Sequence, residues 1–248
     1  MTKRFSALLL ATAAVLAPAL ASAAGGGDIK QSFANISDQA SLQRGASLFM
    51  NYCSGCHSLS MQRYSRTAQD LGLTEAQLMQ NLNFSPAKFG EQIQGSMRPA
   101  DGQAWFGKTP PDLSLVARAK PGGADWTYTF LKSFYVDESR PSGWNNTLLP
   151  NASMPNVLWE LQGTQRAVHE EGTAEGAAHA PKLELGAPGK LSPEEFDRSV
   201  RDITAFLKYV AEPSALQRES TGVWVILFLA AFTMLAWLLK KEYWKDVH

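Results

Sequence analysis

The chain has 248 residues, with 23 lysines and arginines against 23 aspartates and glutamates, so its formal net charge is zero. No Lys/Arg-rich run offsets that balance, which excludes a nucleic-acid binder, and 45% hydrophobic residues exclude wholesale disorder. Two cysteines are too few for a disulfide scaffold.

Residues 1–23 read as a signal peptide. Lys3 and Arg4 precede an apolar stretch over 5–20, and Ala21-Ser22-Ala23 is the small-residue pattern that signal peptidase cleaves. An exported domain is expected over 24–220. From 24 to 239 there are 18 basic and 21 acidic residues, a net charge of about −3 that suits a basic soluble partner.

A first helix is predicted over 41–52. Leu42, Gly45, Ala46, Phe49 and Tyr52 fall at helical spacing, with Ser37 or Asp38 as cap. Gly45 and Ala46 are small enough to predict a close crossing with a second helix.

Cys53-Ser54-Gly55-Cys56-His57 follows directly. C-x-x-C-H is the attachment pattern of a c-type haem. Two thiols one turn apart each form a thioether to a vinyl group of one porphyrin, and the adjacent His57 reaches the iron. A thioredoxin-like redox pair is the rival reading, but it needs a βαβ context and these flanks are helical. Haem attachment would consume both cysteines and leave no disulfide.

An electron carrier also needs a filled sixth position at iron, usually Met or His. Met1 leaves with the signal and Met234 lies in an apolar C-terminal stretch. Met50 and Met61 are too near His57 in sequence to reach the far face. Met79, Met97 and Met154 remain. Met154 is preferred, because it sits in a loop-like setting over 150–156 where Pro155 keeps it extended. Met97 ranks next. Residues 163–190, rich in Gly, Ala and Glu, read as a long surface insertion, and His169 and His179 within it as solvated.

A second helix is predicted over 193–211. Ser192-Pro193-Glu194-Glu195 is a capping box with proline at the first helical position. Phe196, Val200, Ile203, Phe206, Leu207 and Val210 form its apolar stripe, and Pro213 stops it. Gly45 and Ala46 are expected to face Phe206, Leu207 and Val210. The 18 residues over 222–239 carry no charge and would make a helix about 27 Å long, enough for a membrane span at 221–240. Lys240, Lys241 and Lys245 then place the tail, 241–248, in the cytoplasm, with Trp224, Trp237, Tyr243 and Trp244 as interfacial aromatics.

Taken in this order, the chain resembles the cytochrome c1 family, the haem subunit of the cytochrome bc1 complex, in its bacterial form. The resemblance rests on Cys53-Ser54-Gly55-Cys56-His57-Ser58 and on Pro110-Pro111-Asp112-Leu113-Ser114. Arg118-Ala119-Lys120 with Gly122-Gly123, Trp144-Asn145-Asn146 leading to Met154-Pro155, and the tail anchor complete it. It implies that His57 and Met154 are the iron ligands and that Pro110 and Pro111 line the haem. It implies a propionate contact from Lys120, where the family often has Arg, shared with Arg118. Lysine keeps the charge and loses the bidentate fork. Trp126 matches a family tyrosine near the haem.

The expected fold is all-α, a cytochrome c type haem domain with long loops plus one C-terminal transmembrane helix. The expected cofactor is one covalent haem c. The expected function is transfer of single electrons from a Rieske iron–sulfur protein to a soluble c-type cytochrome. That places the chain beside cytochrome b in a quinol–cytochrome c oxidoreductase of the bacterial inner membrane, with the haem domain in the periplasm and no bond-making catalysis of its own. Two alternatives are another membrane-anchored c-type cytochrome, such as an oxidase subunit, and a periplasmic thiol–disulfide oxidoreductase using Cys53 and Cys56.

Overall fold

Side-chain caps start the two helices that organise the domain. The computed structural model describes residues 29–168 and 181–245. The expected signal peptide, His169, His179 and the last three residues of the tail lie outside them. In chain order the elements are α1 (Gln39–Tyr52), β1 (Leu59–Arg63), α2 (Tyr64–Leu71), α3 (Glu75–Leu82), β2 (Gln92–Ile93), α4 (Pro99–Phe106), α5 (Val116–Ala119) and α6 (Gly123–Lys132). Then come β3 (Phe134–Val136), β4 (Trp144–Asn146), α7 (Trp159–Gln162), β5 (Gly163–Val168), β6 (Lys182–Pro188), α8 (Pro193–Ala211) and α9 (Ala215–Tyr243).

Asp38 is the cap of α1, its carboxylate accepting from the Ser41 N–H at 3.1 Å. α8 begins with the expected capping box. The Ser192 hydroxyl accepts from the Glu195 N–H at 3.3 Å, and the Glu195 carboxylate accepts from the Ser192 N–H at 2.9 Å.

α1 and α8 cross at Gly45. A Cβ there would lie 2.0 Å from the Asp202 carbonyl oxygen and 2.9 Å from Phe206 Cβ. The nearest atoms thus belong to Asp202 and Phe206, one turn before Val210. The buried Asp202 carboxylate pins the crossing. It accepts from Ser41 Oγ at 2.6 Å and from Arg44 Nε and Nη2 at 2.6 and 3.0 Å. Phe49 and Phe206 meet with ring centroids 5.8 Å apart. Leu42, Leu59, Leu71, Leu78, Ile93, Val200 and Ile203 are fully buried around them. Each such side chain contributes about 1.5–3 kcal/mol by leaving water. Tyr209 ties α2 to α8: its hydroxyl donates to Asp70 at 2.7 Å and accepts from the Gln62 amide at 2.8 Å.

The helical reading describes this core and stops at its edges. Among the described residues, three two-stranded antiparallel sheets, β1–β2, β3–β4 and β5–β6, are added to it. Strands of only two and three residues, such as β2, β3 and β4, are too short to show a period-two pattern. The expected insertion folds back as the β5–β6 hairpin. Gly163, at φ +90°, and Gly189 pinch its base, where a Cβ on Gly189 would come within 2.4 Å of Gly163 N. β6 is exposed along nearly its whole length, so the hairpin adds surface and little core.

α9 starts at Ala215, earlier than the predicted span. Its segment Thr221–Tyr243, 23 residues whose most apolar stretch has a mean hydropathy of 2.3, is long and apolar enough to cross a membrane.

An added methyl cannot coexist with a main-chain oxygen at 2.0 Å, so Gly45→Ala must part the two helices. Overpacking of this kind costs about 1–3 kcal/mol. In a domain of this size each kcal/mol moves Tm by about 2–4 °C. Calorimetry of the detergent-solubilised chain should show a Tm lowered by several degrees for Gly45→Ala. Gly90→Ala, which meets no atom within 4 Å, should leave it unchanged.

Candidate functional site

The end of α1 winds the cysteine motif into a single turn. The Cys53 N–H closes the helix on the Phe49 carbonyl at 2.8 Å. The N–H groups of Cys56 and His57 both return to the Cys53 carbonyl, at 3.0 and 2.9 Å. Both thiols are free. Burial, and then the neighbouring Cys56, pushes the Cys53 thiol up to about 12, and burial raises Cys56 as well. A thiol–disulfide catalyst needs the opposite, a stabilised thiolate.

His57 leans on the Pro110-Pro111 segment. Its Nδ1 lies 2.7 Å from the Pro111 carbonyl oxygen. A carbonyl can only accept, so Nδ1 carries the proton and Nε2 keeps its lone pair. Burial lowers the imidazole's pKa, opposed by the Pro111 carbonyl and by Asp112. A neutral ring with a free Nε2 is a metal-ligand form.

The rest of the motif is laced to residues 58–61. The Leu113 N–H donates to the Ser58 carbonyl at 2.9 Å. The Asp112 carboxylate accepts from the Ser60 and Ser114 N–H groups, both at 2.8 Å. The buried Ser114 hydroxyl accepts from the Met61 N–H at 3.1 Å. Burial pushes the Asp112 carboxyl up, but the bonds from Ser114 and Ser60 outweigh it and hold the group below its ordinary value. Pro110 and Pro111 have no N–H, so they border an apolar space without leaving a donor unpaired.

A third segment of chain, marked in the sequence only by Met97 as a ligand candidate, backs the cysteine turn. The Met97 N–H donates to the Gly55 carbonyl at 3.0 Å and the Gly95 N–H to Ser58 Oγ at 2.8 Å. A Cβ at Gly95 would lie 3.0 Å from the His57 carbonyl carbon and 3.2 Å from that of Cys56.

These segments enclose one cavity. Cys53, Cys56 and His57 line it together with Pro110, Pro111 and Met154. Tyr52, Phe106, Lys108, Ser153, Pro155 and Val157 complete the lining. Of the other candidate methionines, Met97 has its sulfur 3.4 Å from a Cβ placed on Gly102 of α4, and Met79 has its sulfur 3.8 Å from the Asn83 amide. Neither lines the cavity. Arg118, Lys120 and Trp126 also stand off it. Arg118 and Lys120 are exposed, the Lys120 ammonium lies 4.5 Å from the Trp126 ring centroid, and Trp126 stacks on Phe130 at 5.0 Å. Reading the sequence missed Tyr52, Phe106, Lys108 and Val157. Adjacency to Cys53 was the available signal for Tyr52, and nothing local marks the others.

The sequence matches the Cytochrome C1 family over residues 29–247. The chain belongs to the cytochrome c1 family. It is 54% identical over 244 residues to a cytochrome c1 from Allochromatium vinosum, covering 97% of this chain and 99% of that protein. It is 42% identical over 241 residues to a protein of Nitrosomonas europaea named ammonia monooxygenase gamma subunit, covering 96% and 97% of the two. It is 26% identical over 244 residues to a cytochrome b/c1 of Bradyrhizobium diazoefficiens, covering 85% of this chain and 34% of that protein. The cytochrome c1 family consists of haem-bearing electron-transfer components of the bc1 complex.

The groups lining the cavity of this cytochrome c1 family member are those a c-type haem requires. The cavity offers two free neutral thiols, an imidazole with an available nitrogen, a thioether sulfur and apolar walls. Gly95→Ala presses a methyl onto the Cys56–His57 peptide and should lower the ratio of haem to protein. Gly95→Val should lower it further. Haem staining against immunoblot signal checks the order.

Proposed function

We propose that this chain relays single electrons from a Rieske iron–sulfur protein to a soluble c-type cytochrome. It does so as the anchored haem subunit of a quinol–cytochrome c oxidoreductase. The observation that carries this reading is the shared lining of Cys53, Cys56, His57 and Met154 in one apolar cavity.

Haem c, held there once and covalently, supplies a one-electron ferric–ferrous couple. Cys53 and Cys56 would hold it through thioethers. His57 would present Nε2, while Pro111 fixes the ring's rotation and raises its basicity through Nδ1–H. Met154 would present its sulfur, a ligand that raises the potential. Tyr52, Phe106, Pro110, Pro111 and Val157 would border the haem with largely apolar surface. Arg118, Lys120 and Trp126 are assigned to the haem's carboxylate edge on the family likeness, and Lys108 joins them as the charged side chain on the lining.

Lysines 240, 241 and 245, after the apolar segment, support a cytoplasmic tail and a periplasmic domain at the bacterial inner membrane. The signal peptide belongs to the same reading. The name of the 54% identical relative supports the bc1 assignment over an oxidase subunit. The raised thiol pKa values weigh against a thiol–disulfide enzyme.

Met154→Leu should keep the covalent haem, because Cys53, Cys56 and His57 are intact. It should abolish the weak thioether-to-iron band at the red end of the oxidised spectrum. It should also lower the midpoint potential by ~100 mV or more, given how widely axial ligands tune haem, and stop quinol-dependent reduction. Met97→Leu should do none of this. The opposite pattern would overturn the ligand assignment.

A further inference from the structure

We propose that Asn145, oriented by Asp137, is a positioning residue for Met154. The inference rests on Met154 being the sixth ligand.

Residues 147–158 form no helix or strand. Such a loop has no backbone ladder to fix it, so side chains must. Two buried asparagines hold its ends. Asn146 donates from Nδ2 to the Phe130 carbonyl at 2.8 Å and accepts at Oδ1 from the Leu148 and Leu149 N–H groups at 2.9 and 3.0 Å. Asn156 accepts from the Leu158 N–H at 3.0 Å and donates to Gln162 Oε1 at 3.0 Å.

Asn145 reaches the middle. Its Oδ1 accepts from the Asn151 N–H at 2.8 Å, three residues before Met154 in the chain. Asn151 sits at φ +63°, a left-handed conformation that few residues adopt and asparagine tolerates. Arg140 Nη2 donates to the Asn151 carbonyl at 3.4 Å, so this residue is held through both its main-chain N–H and its C=O.

Asp137 decides which way the Asn145 amide points. Its Oδ2 accepts from Asn145 Nδ2 at 2.8 Å, while its Oδ1 accepts from the Ser139 N–H and hydroxyl at 3.0 and 2.6 Å. An ionised carboxylate can only accept, so the amide must turn its nitrogen to Asp137 and its oxygen to Asn151. Asn145 itself pairs with Tyr135 in the β3–β4 sheet. The Asp137–Asn145–Asn151 series therefore transmits the position of a hydrogen-bonded sheet to the ligand loop.

A charge swap tests this in the full-length, haem-bearing chain. Asn145→Asp keeps the side chain's size but sets a second carboxylate against Asp137. The thioether-to-iron band should be lost while covalent haem is retained. The double variant Asp137→Asn with Asn145→Asp restores one donor and one acceptor between the two positions, and the band should return. A role in folding alone would lower the yield of haem protein, whereas a positioning role removes the band while yield and covalent haem stay normal. A full band in Asn145→Asp, or no recovery in the double variant, overturns the proposal. Should Asn145→Asp yield no haem protein, recovery of yield and band in the double variant supports it. Failure there, with Asp137→Asn alone at normal yield, overturns it. Met154→Leu runs in parallel. If that variant keeps its band, the ligand reading fails and the positioning inference falls with it; if it loses the band while Asn145→Asp keeps a full one, only the positioning inference fails.

Discussion

The contact at Gly45 governs the molecule, because it leaves no room for a single methyl group. α1 carries the cysteine turn at its C-terminus, so the placement of α1 sets the placement of Cys53, Cys56 and His57. α8 sets α1, through a main-chain oxygen that a Cβ at Gly45 would strike. Asp202 prevents sliding by binding Ser41 and Arg44 beside that point. The apolar core gives the energy of association, and the close approach with its polar pin gives the register. A wider crossing would carry the end of α1 away from Pro111 and from the Met154 loop.

Around the cavity, regular structure gives out and specific side chains replace it. Asp112 and Ser114 bind main-chain groups of residues 58–61, and Asn145, Asn146 and Asn156 do the same over 147–158. Each satisfies main-chain N–H groups that a sheet or helix would otherwise pair. Proline and glycine enter for complementary reasons. Pro110 and Pro111 offer no donor to an apolar space, and Gly95 offers no side chain to a peptide that lies in contact. The division is functional: helices hold the thiols and the imidazole's approach, and a stapled loop holds the thioether.

How much of this the sequence discloses depends on how local the determinant is. The C-x-x-C-H spacing, the capping box at Ser192 and the stripe of α8 are contained within a few turns of chain, so they read directly. Gly45 reads as a crossing point, yet its partner Asp202 is a charged residue that no apolar pattern would nominate. The placement of Met154 in the cavity follows from loop chemistry and family likeness together. Gly95 and Phe106 stay silent, because their neighbours come from distant segments. The three small sheets are silent for a different reason: their strands are fixed by partners rather than by alternation. Asn145 and Asn146 stood out as part of a motif, but their purpose emerges only when Asn151 and Leu148 are seen to fold back on them.

The central claim is that His57 and Met154 occupy the two axial positions of one haem. Near-infrared magnetic circular dichroism of the oxidised, detergent-solubilised chain reads that pair directly, because the charge-transfer energy depends on both ligands. The account predicts a histidine–methionine signature. A bis-histidine signature would contradict it, and so would a histidine–lysine one, which would instead point to Lys108 on the cavity wall.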